Sequence, residues 1–315
     1  MDWSLVGDVG ATNARFALLK PGGDLTPARS YLCDDYPTIC DALTAYLATS
    51  DGGAPSRAVL AIAAAPAGDV VRMTNHPWSF SVAELRARLG LDSLMVINDF
   101  EANALSLPRL TGNDLTKVGT GEAMAGMPMG VLGPGSGLGV AGLVSSGDAF
   151  IPVAGEGGHV TMAAADDEEA TVLGLLRQRF DHVSAERVLS GPGLVNLYNA
   201  LCEIGAKPSA GFTAAQITDP NTMAEDAYAA RAVSMFCAML GTVAGNLAVT
   251  LGARGGIYIA GGIVPKLGDA FTKSKFRGRF EDKGRLRSYL AAIPTYVIVR
   301  PDAALLGAAK LLNAD

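Results

Sequence analysis

The sequence has no surplus of positive charge, few cysteines and no long uninterrupted apolar run. Its 25 lysines and arginines are outnumbered by 31 aspartates and glutamates, giving a formal net charge of −6. A chain without a basic surplus has little with which to neutralise phosphates, which argues against non-specific nucleic-acid binding. We expect no nucleic-acid partner, and the acidic balance fits a cytoplasmic enzyme.

The four cysteines, Cys33, Cys40, Cys202 and Cys237, form no CxxC pair. No cysteine–histidine cluster has the spacing of a zinc site, so we expect no zinc and free buried thiols in a reducing compartment. No basic segment precedes an apolar one at the start, so we expect no signal peptide. The longest apolar stretches, such as residues 131–144, are broken by glycine and proline. None reaches the roughly 20 continuous apolar residues of a membrane span, so we expect no membrane partner.

The chain is instead rich in apolar residues and glycine. Of its 315 residues, 49% are apolar and 38 are glycine, enough for a sizeable core in two domains or one large one. Short apolar runs that read as buried strands alternate with segments of helical spacing. This alternation predicts an α/β fold.

One stretch, residues 95–102, is the first candidate for chemistry. Its apolar start reads as the end of a buried strand, Asn98 and Asp99 break the run, and a helix follows from Ala102. A carboxylate after a buried strand lies where open α/β sheets bind their ligands. Asp99 is therefore the candidate catalytic residue.

Two glycine-rich loops are each flanked by predicted strands. Residues 8–13 join strands at 4–7 and 14–19, and residues 133–137 join strands at 129–132 and 138–144. A Walker A or dinucleotide-binding loop would open a helix, so neither fits. The backbone N–H groups of a hairpin loop can face a phosphate, although one such loop alone can equally be an ordinary tight turn. Two such loops, each at the start of one half of the chain, favour two domains that bind one polyphosphate group between them.

Further candidates lie in the second half. Glu156 and His159 occupy a glycine-rich turn, which can serve close backbone approach or be a plain surface loop. Glu186 lies in the first turn of a helix predicted over residues 185–189, where the local pattern favours a simple helix former. Gly261 and Gly262 follow a predicted strand and precede a helix, an arrangement that suits a base or ribose lying on the backbone.

Three other segments are predicted without a role in chemistry. Residues 108–130 are polar, glycine-rich and irregular, and we place the first domain boundary near Pro108. Residues 223–251 read as a long apolar helical stretch of the core, broken near Gly241 or Gly245. Residues 276–287 are basic and aromatic, and we interpret them as a solvated segment.

Seven segments together resemble one family. The chain is similar to the bacterial ATP-dependent glucokinases of the non-repressor type, within the sugar kinase/Hsp70/actin (RNase H-like) superfamily, and the resemblance covers essentially its whole length. The segments that carry it are residues 7–15, 74–78, 98–100, 135–140, 155–160, 184–193 and 260–265.

The resemblance implies a two-domain actin-like ATPase fold with a central cleft. It implies a small α/β domain of residues 1–108 plus about 301–315, and a large α/β domain of residues 109–300, which close over the sugar. It also implies that ATP and Mg²⁺ are the cofactors, that glucose is phosphorylated at its 6-hydroxyl as the entry to glycolysis, and that the protein is a homodimer.

Residue roles follow from the resemblance position by position. Asp99 is the general base, and Asp8 places magnesium through water. The glucose ligands are Asn98, Asp99, Glu156, His159 and Glu186. The ATP-binding residues are Gly7, Asp8, Val9, Gly10, Ala11, Thr12 and Asn13 in the first loop, Gly135, Ser136 and Gly137 in the second, and Gly261 and Gly262 at the adenosine.

The chain departs from the family pattern in two places. Ala11 stands where the family often has glycine, and Ser136 stands where threonine is common. The cysteine cluster of the repressor-type kinases is absent.

Two alternatives stay open: a kinase for another hexose such as fructose or mannose, and a non-catalytic sugar sensor. A sensor would lack the base or a phosphate loop, or would carry a DNA-binding segment.

Overall fold

The computed structural model of the chain describes residues 2–147 and 149–312, in which strands and helices alternate as an α/β fold. The strands are β1 (Ser4–Val9), β2 (Asn13–Leu19), β3 (Arg29–Leu32), β4 (Arg57–Ile62), β5 (Val70–Arg72), β6 (Ser79–Ser81), β7 (Ser93–Asn98), β8 (Leu115–Val118), β9 (Met129–Pro134), β10 (Leu138–Ser146), β11 (Ala149–Gly155), β12 (Ile257–Ile259) and β13 (Thr295–Ile298). The helices are α1 (Ile39–Thr49), α2 (Val82–Arg88), α3 (Asp99–Ser106), α4 (Asp167–Leu176), α5 (Gly191–Ile204), α6 (Ala214–Ile217), α7 (Pro220–Glu225), α8 (Ala227–Leu251), α9 (Val264–Leu267), α10 (Asp269–Thr272), α11 (Phe276–Glu281), α12 (Arg287–Ala291) and α13 (Ala303–Leu312).

The chain forms two compact units. Unit 1 comprises Met1–Asp114, Ser146–Ala154 and Arg300–Asp315, and unit 2 comprises Leu115–Ser145 and Gly155–Val299. The domain division that the resemblance implies stays a prediction.

The sheet of unit 1 has the strand order β3-β2-β1-β4-β7. The β1–β2 and β2–β3 pairs are antiparallel, and β1, β4 and β7 run parallel. Residues 58–62 of β4 are all buried, as expected of a central parallel strand that is covered on both faces. Phe16, Leu43, Tyr46 and Leu60 are among the residues of the core beside it. Helix α13 packs against α3 and also against β4 and β1 of this sheet.

The second sheet repeats this arrangement, with the order β11-β10-β9-β12-β13-β8. Its β9–β10 pair is an antiparallel hairpin, and β9, β12 and β13 run parallel. Strand β8 is antiparallel to β13 and lies in a region that the sequence predicted to be irregular. Its four residues show no clear alternation of apolar and polar side chains. The strand therefore forms because it pairs with β13, not because of its local sequence pattern.

Helix α8 crosses the core of unit 2 without a break, so the predicted break near Gly241 or Gly245 is wrong. A Cβ at Gly241 would overlap the Phe276 carbonyl oxygen, and one at Gly245 would lie 2.6 Å from the Phe280 carbonyl oxygen. These glycines therefore allow α11 to approach α8 closely. By length and composition α8 could cross a membrane, but 78% of its most apolar window is buried within the structure, as in a core helix.

Residues 276–281 form α11, so the prediction of a solvated segment is wrong there. Phe276 and Phe280 are fully buried against the core of unit 2. Their four-residue spacing places both rings on the same face of a helix. The basic residues between them dominated the sequence pattern, but they are largely buried too: the Arg277 and Arg279 side chains are 13% and 14% exposed and pair with Glu281 and Glu169.

Candidate active site

The first glycine-rich loop connects β1 to β2 as predicted. The Gly10 N–H donates to the Asn13 carbonyl oxygen at 2.9 Å, which closes the turn. The Cys33 N–H donates to the Thr12 carbonyl oxygen at 2.9 Å, and the Cys33 thiol donates to the Gly10 carbonyl oxygen at 3.4 Å. Cys33 thus holds the Thr12 and Gly10 carbonyl groups on one side of the loop. Gly7 and Val9 lie within β1, and the Val9 side chain is fully buried, so only backbone is available there.

Asp8 is paired with Arg15 across the same hairpin. The two residues are opposite each other in the antiparallel register, and Arg15 Nη1 lies 3.1 Å from Asp8 Oδ2. Burial raises the pKa of Asp8, and the Arg15 guanidinium opposes that rise. Sequence reasoning missed Arg15, because the predicted loop of residues 8–13 left Asp8 outside the strand, whereas β1 in fact extends to Val9.

Asp8 is a suitable ligand for a magnesium ion that enters the site bound to a nucleotide. In the described part of the chain, no three His, Cys, Asp or Glu side chains form a metal cage. Magnesium commonly binds through one or two carboxylates, waters and substrate phosphates rather than through an all-protein site. A single carboxylate beside the loop satisfies this requirement. The bound ion would supply charge neutralisation at the phosphates.

The ends of three parallel strands place the loop and Asp99 at one edge of the sheet. Val9 pairs with Ile62, and Ile62 pairs with Asn98. The Ala63 N–H donates to the Val9 carbonyl oxygen at 3.0 Å, and Asn98 Nδ2 donates to the Ala64 carbonyl oxygen at 2.9 Å. The carboxyl ends of the strands are therefore bonded to one another.

Asn98 and Asp99 mark the change from β7 to α3. The Asn98 side chain is the N-cap and accepts hydrogen bonds from the Phe100 and Glu101 N–H groups. Asp99 is the first residue of the helix, where the backbone dipole favours an anion. Its Oδ1 accepts from the Phe100 N–H at 3.0 Å. The helix starts three residues earlier than predicted because Asn98 caps it.

In unit 2 the second loop connects β9 to β10. The Gly135 N–H donates to the Gly137 carbonyl oxygen at 2.8 Å, and the Gly191 N–H donates to the Gly135 carbonyl oxygen at 2.8 Å. Gly261 lies against this hairpin with a φ of +83°, and a Cβ there would overlap the Pro134 carbonyl oxygen. A Cβ at Gly262 would have no other heavy atom within 4 Å. The structure thus brings the predicted loop and the predicted adenosine glycines together.

Glu156 precedes a short 3₁₀ helix, Gly157–His159, and His159 is its last residue. Glu156 Oε2 lies 3.9 Å from His159 Nε2, and the two side chains are 62% and 57% exposed. Both polar groups are therefore accessible to a ligand. A Cβ at Gly158 would overlap the Leu138 carbonyl oxygen, so this turn lies directly on β10.

Glu186 lies beside the same strand. Its Oε2 accepts from the Leu138 N–H at 2.8 Å. The Ala185 N–H donates to the Val160 carbonyl oxygen at 2.8 Å, and Thr161 bridges to Ser184, so the segments that carry His159 and Glu186 run side by side. The predicted helix at residues 185–189 is a shorter 3₁₀ helix, Ala185–Arg187.

Each unit therefore gathers part of the predicted site. Unit 1 holds the first loop, Asn98 and Asp99 at one sheet edge, and unit 2 holds the second loop with Glu156, His159, Glu186, Gly261 and Gly262. The residue roles remain predictions.

A strand–loop–strand hairpin at the start of each of two sheets of like order, with a carboxylate at a strand end, is typical of the actin-like sugar kinases. The chain belongs to the glucokinase family, because the family model described as "Glucokinase" matches residues 5–315. A glucokinase of Aromatoleum aromaticum is 51% identical over 311 residues, which cover 98% of this chain and 94% of that protein. The crystal structure of a glucokinase from an Antarctic psychrotroph matches with a TM-score of 0.87 and 35% identity, covering 100% of both chains.

Some relatives are longer than this chain. A protein of Burkholderia pseudomallei named "Bifunctional protein glk" is 49% identical over 309 residues, which cover 98% of this chain and 48% of that protein. This chain thus spans about half the length of that relative.

Proposed function

We propose that this protein transfers the γ-phosphoryl group of ATP to the 6-hydroxyl of glucose, giving glucose 6-phosphate and ADP. The observation that carries the proposal is the position of Asp99. It starts α3 at the sheet edge where the first phosphate loop also ends. A carboxylate in this place can accept the proton of a hydroxyl that attacks a phosphoryl group. Membership of the glucokinase family supports glucose as the acceptor.

Sugar selectivity would come from several acceptors at fixed positions. We assign Asn98, Glu156, His159 and Glu186 to the other hydroxyl groups of the ring. Hydrogen bonds to charged groups contribute roughly 1.5–3 kcal/mol each. An isomer with one hydroxyl misplaced would leave an acceptor unpaired, which costs about 1–3 kcal/mol and lowers kcat/KM on the order of ten- to a hundredfold.

Phosphate binding would rest on backbone groups and on the metal that accompanies ATP. We assign residues 7–13 and 135–137 to the phosphates, Gly261 and Gly262 to the adenosine, and Asp8 to magnesium through water. Neither loop contains a lysine. The charge of the transferring group must then be balanced by oriented N–H dipoles and Mg²⁺, so we expect a strict requirement for the metal.

The direct test is an activity matrix with the purified chain. Glucose, fructose and mannose are each combined with ATP, ADP or polyphosphate, with and without Mg²⁺, and sugar phosphate is measured. We expect glucose with ATP and Mg²⁺ to have the highest kcat/KM. A higher value for fructose or mannose would reassign the substrate. No ATP-dependent product with any sugar would contradict the proposal and favour a sugar sensor.

We also propose a cytoplasmic homodimer that supplies glycolysis, on the family resemblance alone. Analytical ultracentrifugation should give twice the mass of one chain. A single species with the mass of one chain would contradict the dimer.

A further inference from the structure

We propose that Glu186 is a positioning residue for the second phosphate loop as well as a ligand for the sugar, so that one carboxylate links the two substrate sites. The loop is residues 135–137, and Leu138 follows it directly. The inference depends on the proposed function, because that function assigns the sugar to Glu186 and the nucleotide phosphates to the loop.

The first tether between Glu186 and the loop is a charged hydrogen bond. Glu186 Oε2 accepts from the Leu138 N–H at 2.8 Å. The Leu138 side chain is buried, so the residue is held in the core on its other side. Hydrogen bonds to an ionised acceptor are about twice as strong as neutral ones. The carboxylate therefore fixes the backbone at the point where the loop ends.

A second tether holds the point where the loop begins. The Gly191 N–H donates to the Gly135 carbonyl oxygen at 2.8 Å. Between the two tethers, the buried Ser190 hydroxyl donates to the Glu186 carbonyl oxygen at 2.8 Å and accepts from the Gly193 N–H at 3.0 Å. Residues 186–191 are thus anchored on the start of α5 and hold both ends of the phosphate loop.

The same carboxylate keeps an acceptor for the sugar. An ionised carboxylate has two oxygens and about four lone-pair directions. Oε2 is used by Leu138, which leaves Oε1 of the partly exposed Glu186 for a hydroxyl group. A sugar bonded to Oε1 would restrict the carboxylate and, through Leu138, the loop. Binding energies linked in this way must be reciprocal, so each substrate should tighten the binding of the other.

Glu156 provides the matched comparison. It is another predicted sugar ligand of unit 2, but in the described residues its carboxylate has no hydrogen bond to residues 135–138 and faces His159 instead. Replacing Glu156 should therefore weaken sugar binding without loosening the second phosphate loop.

The experiment measures nucleotide binding in the absence of sugar. The full chain is titrated calorimetrically with Mg²⁺ and a non-hydrolysable ATP analogue. Glu186→Ala removes the tether, and we expect about five- to tenfold weaker binding. Glu186→Gln keeps an oxygen that can accept from Leu138, so we expect binding within about threefold of the wild type. Glu156→Ala should bind the nucleotide as the wild type does.

Hydrogen exchange supplies a readout that does not depend on any ligand. Peptides that cover residues 135–138 should exchange faster in Glu186→Ala than in Glu186→Gln or Glu156→Ala. If Glu186→Ala fails to fold, Glu186→Asp replaces it, because the shorter side chain withdraws the carboxylate from Leu138 but keeps its charge. Nucleotide affinity and loop exchange equal to those of the wild type in the folded Ala or Asp variant would overturn the inference. Failure of the wild type itself to bind the nucleotide would instead overturn the proposed function.

Discussion

Asp99 is the residue on which the proposed chemistry depends. Replacement by Asn keeps the size of the side chain and an oxygen for the Phe100 N–H, but removes the group that accepts a proton. We expect kcat for glucose phosphorylation to fall at least about a hundredfold, with glucose affinity nearly unchanged. Steady-state kinetics together with calorimetric sugar binding measures both quantities.

The control for Asp99 is Glu101, a carboxylate two residues further along α3 to which we assign no role. Glu101→Gln should change kcat by less than about twofold. Near-normal turnover in Asp99→Asn would show that another group removes the proton.

Asn98 contributes to stability before any ligand is bound. Asn98→Ala loses the N-cap bonds of α3 and the bond to the Ala64 carbonyl oxygen, so we expect a loss of about 2 kcal/mol in the free energy of unfolding. Asn98→Ser keeps a capping oxygen but cannot reach Ala64, and should lose about half as much. Urea denaturation measures both values. Equal stability of Asn98→Ala and the wild type would show that the cap is not needed.

The residue scale also shows what the sequence could and could not predict. Asp99 was found because a carboxylate directly follows an apolar run, which is a local signal. The Asn98–Ala64 and Glu186–Leu138 bonds join residues 34 and 48 positions apart. No spacing rule connects such positions, because the fold alone brings them together.

At the scale of elements, the packing of α8 depends on the close approach of α11 at Gly241 and Gly245. Gly241→Ala would gain about 1 kcal/mol of helix propensity, but the new methyl group would overlap the Phe276 carbonyl oxygen. Overpacking typically costs about 1–3 kcal/mol, so we expect net destabilisation. Gly174 in α4 has nothing within 4 Å of its Cβ position, so Gly174→Ala should be stabilising. Thermal unfolding compares the two. Stabilisation by both substitutions would contradict the close contact of α8 with α11.

The break predicted in α8 was wrong for the same reason. The helix penalty of glycine is a local property, whereas the contacts with Phe276 and Phe280 come from a segment more than thirty residues later in the chain. The apolar runs of β1, β4, β9 and β12 were predictable because burial in a parallel sheet needs only continuous hydrophobicity.

Helix α8 also depends on Asp226 at its start. Burial would raise the pKa of Asp226, but Lys207, the Tyr228 and Ala229 N–H groups and the Tyr198 hydroxyl together hold that pKa below its ordinary value. The carboxylate therefore contributes stability above its unfolded pKa of about 3.9, and this contribution is lost as the pH falls through the lower pKa of the folded state.

The matching prediction concerns Asp226→Asn. At pH 7 this variant should be less stable than the wild type by about 1–2 kcal/mol, because the amide makes weaker bonds to the same N–H groups. The difference should shrink steadily below about pH 4. Urea denaturation across a pH series measures it. A difference that does not depend on pH would contradict the role of the charge.

At the scale of the whole molecule, all four cysteines are free and buried. Burial raises the pKa of Cys33 to about 11 and that of Cys237 to about 12, so thiolate is scarce at pH 8. We expect a chromogenic disulfide reagent at pH 8 to react with no thiol of the native protein within minutes, and with four per chain in denaturant. A rapidly reacting thiol in the native protein would contradict this burial.

The two sheets share the order of their first five strands, beginning in each case with a glycine-rich hairpin. The sequence revealed this repeat through the two loops, which are punctuated by glycine. It did not reveal β8, because a short exposed strand has no distinctive pattern and is formed by pairing with β13.

The packing of α13 against α3 has a consequence for the order in which the protein is made. Helix α13 packs against the helix that begins with Asp99, yet all of unit 2 is translated between them. A ribosome therefore releases the residues of the second unit before the first unit can complete its core. The unit that is begun first is therefore completed last, and until α13 is made the face of α3 that it covers lacks its partner helix.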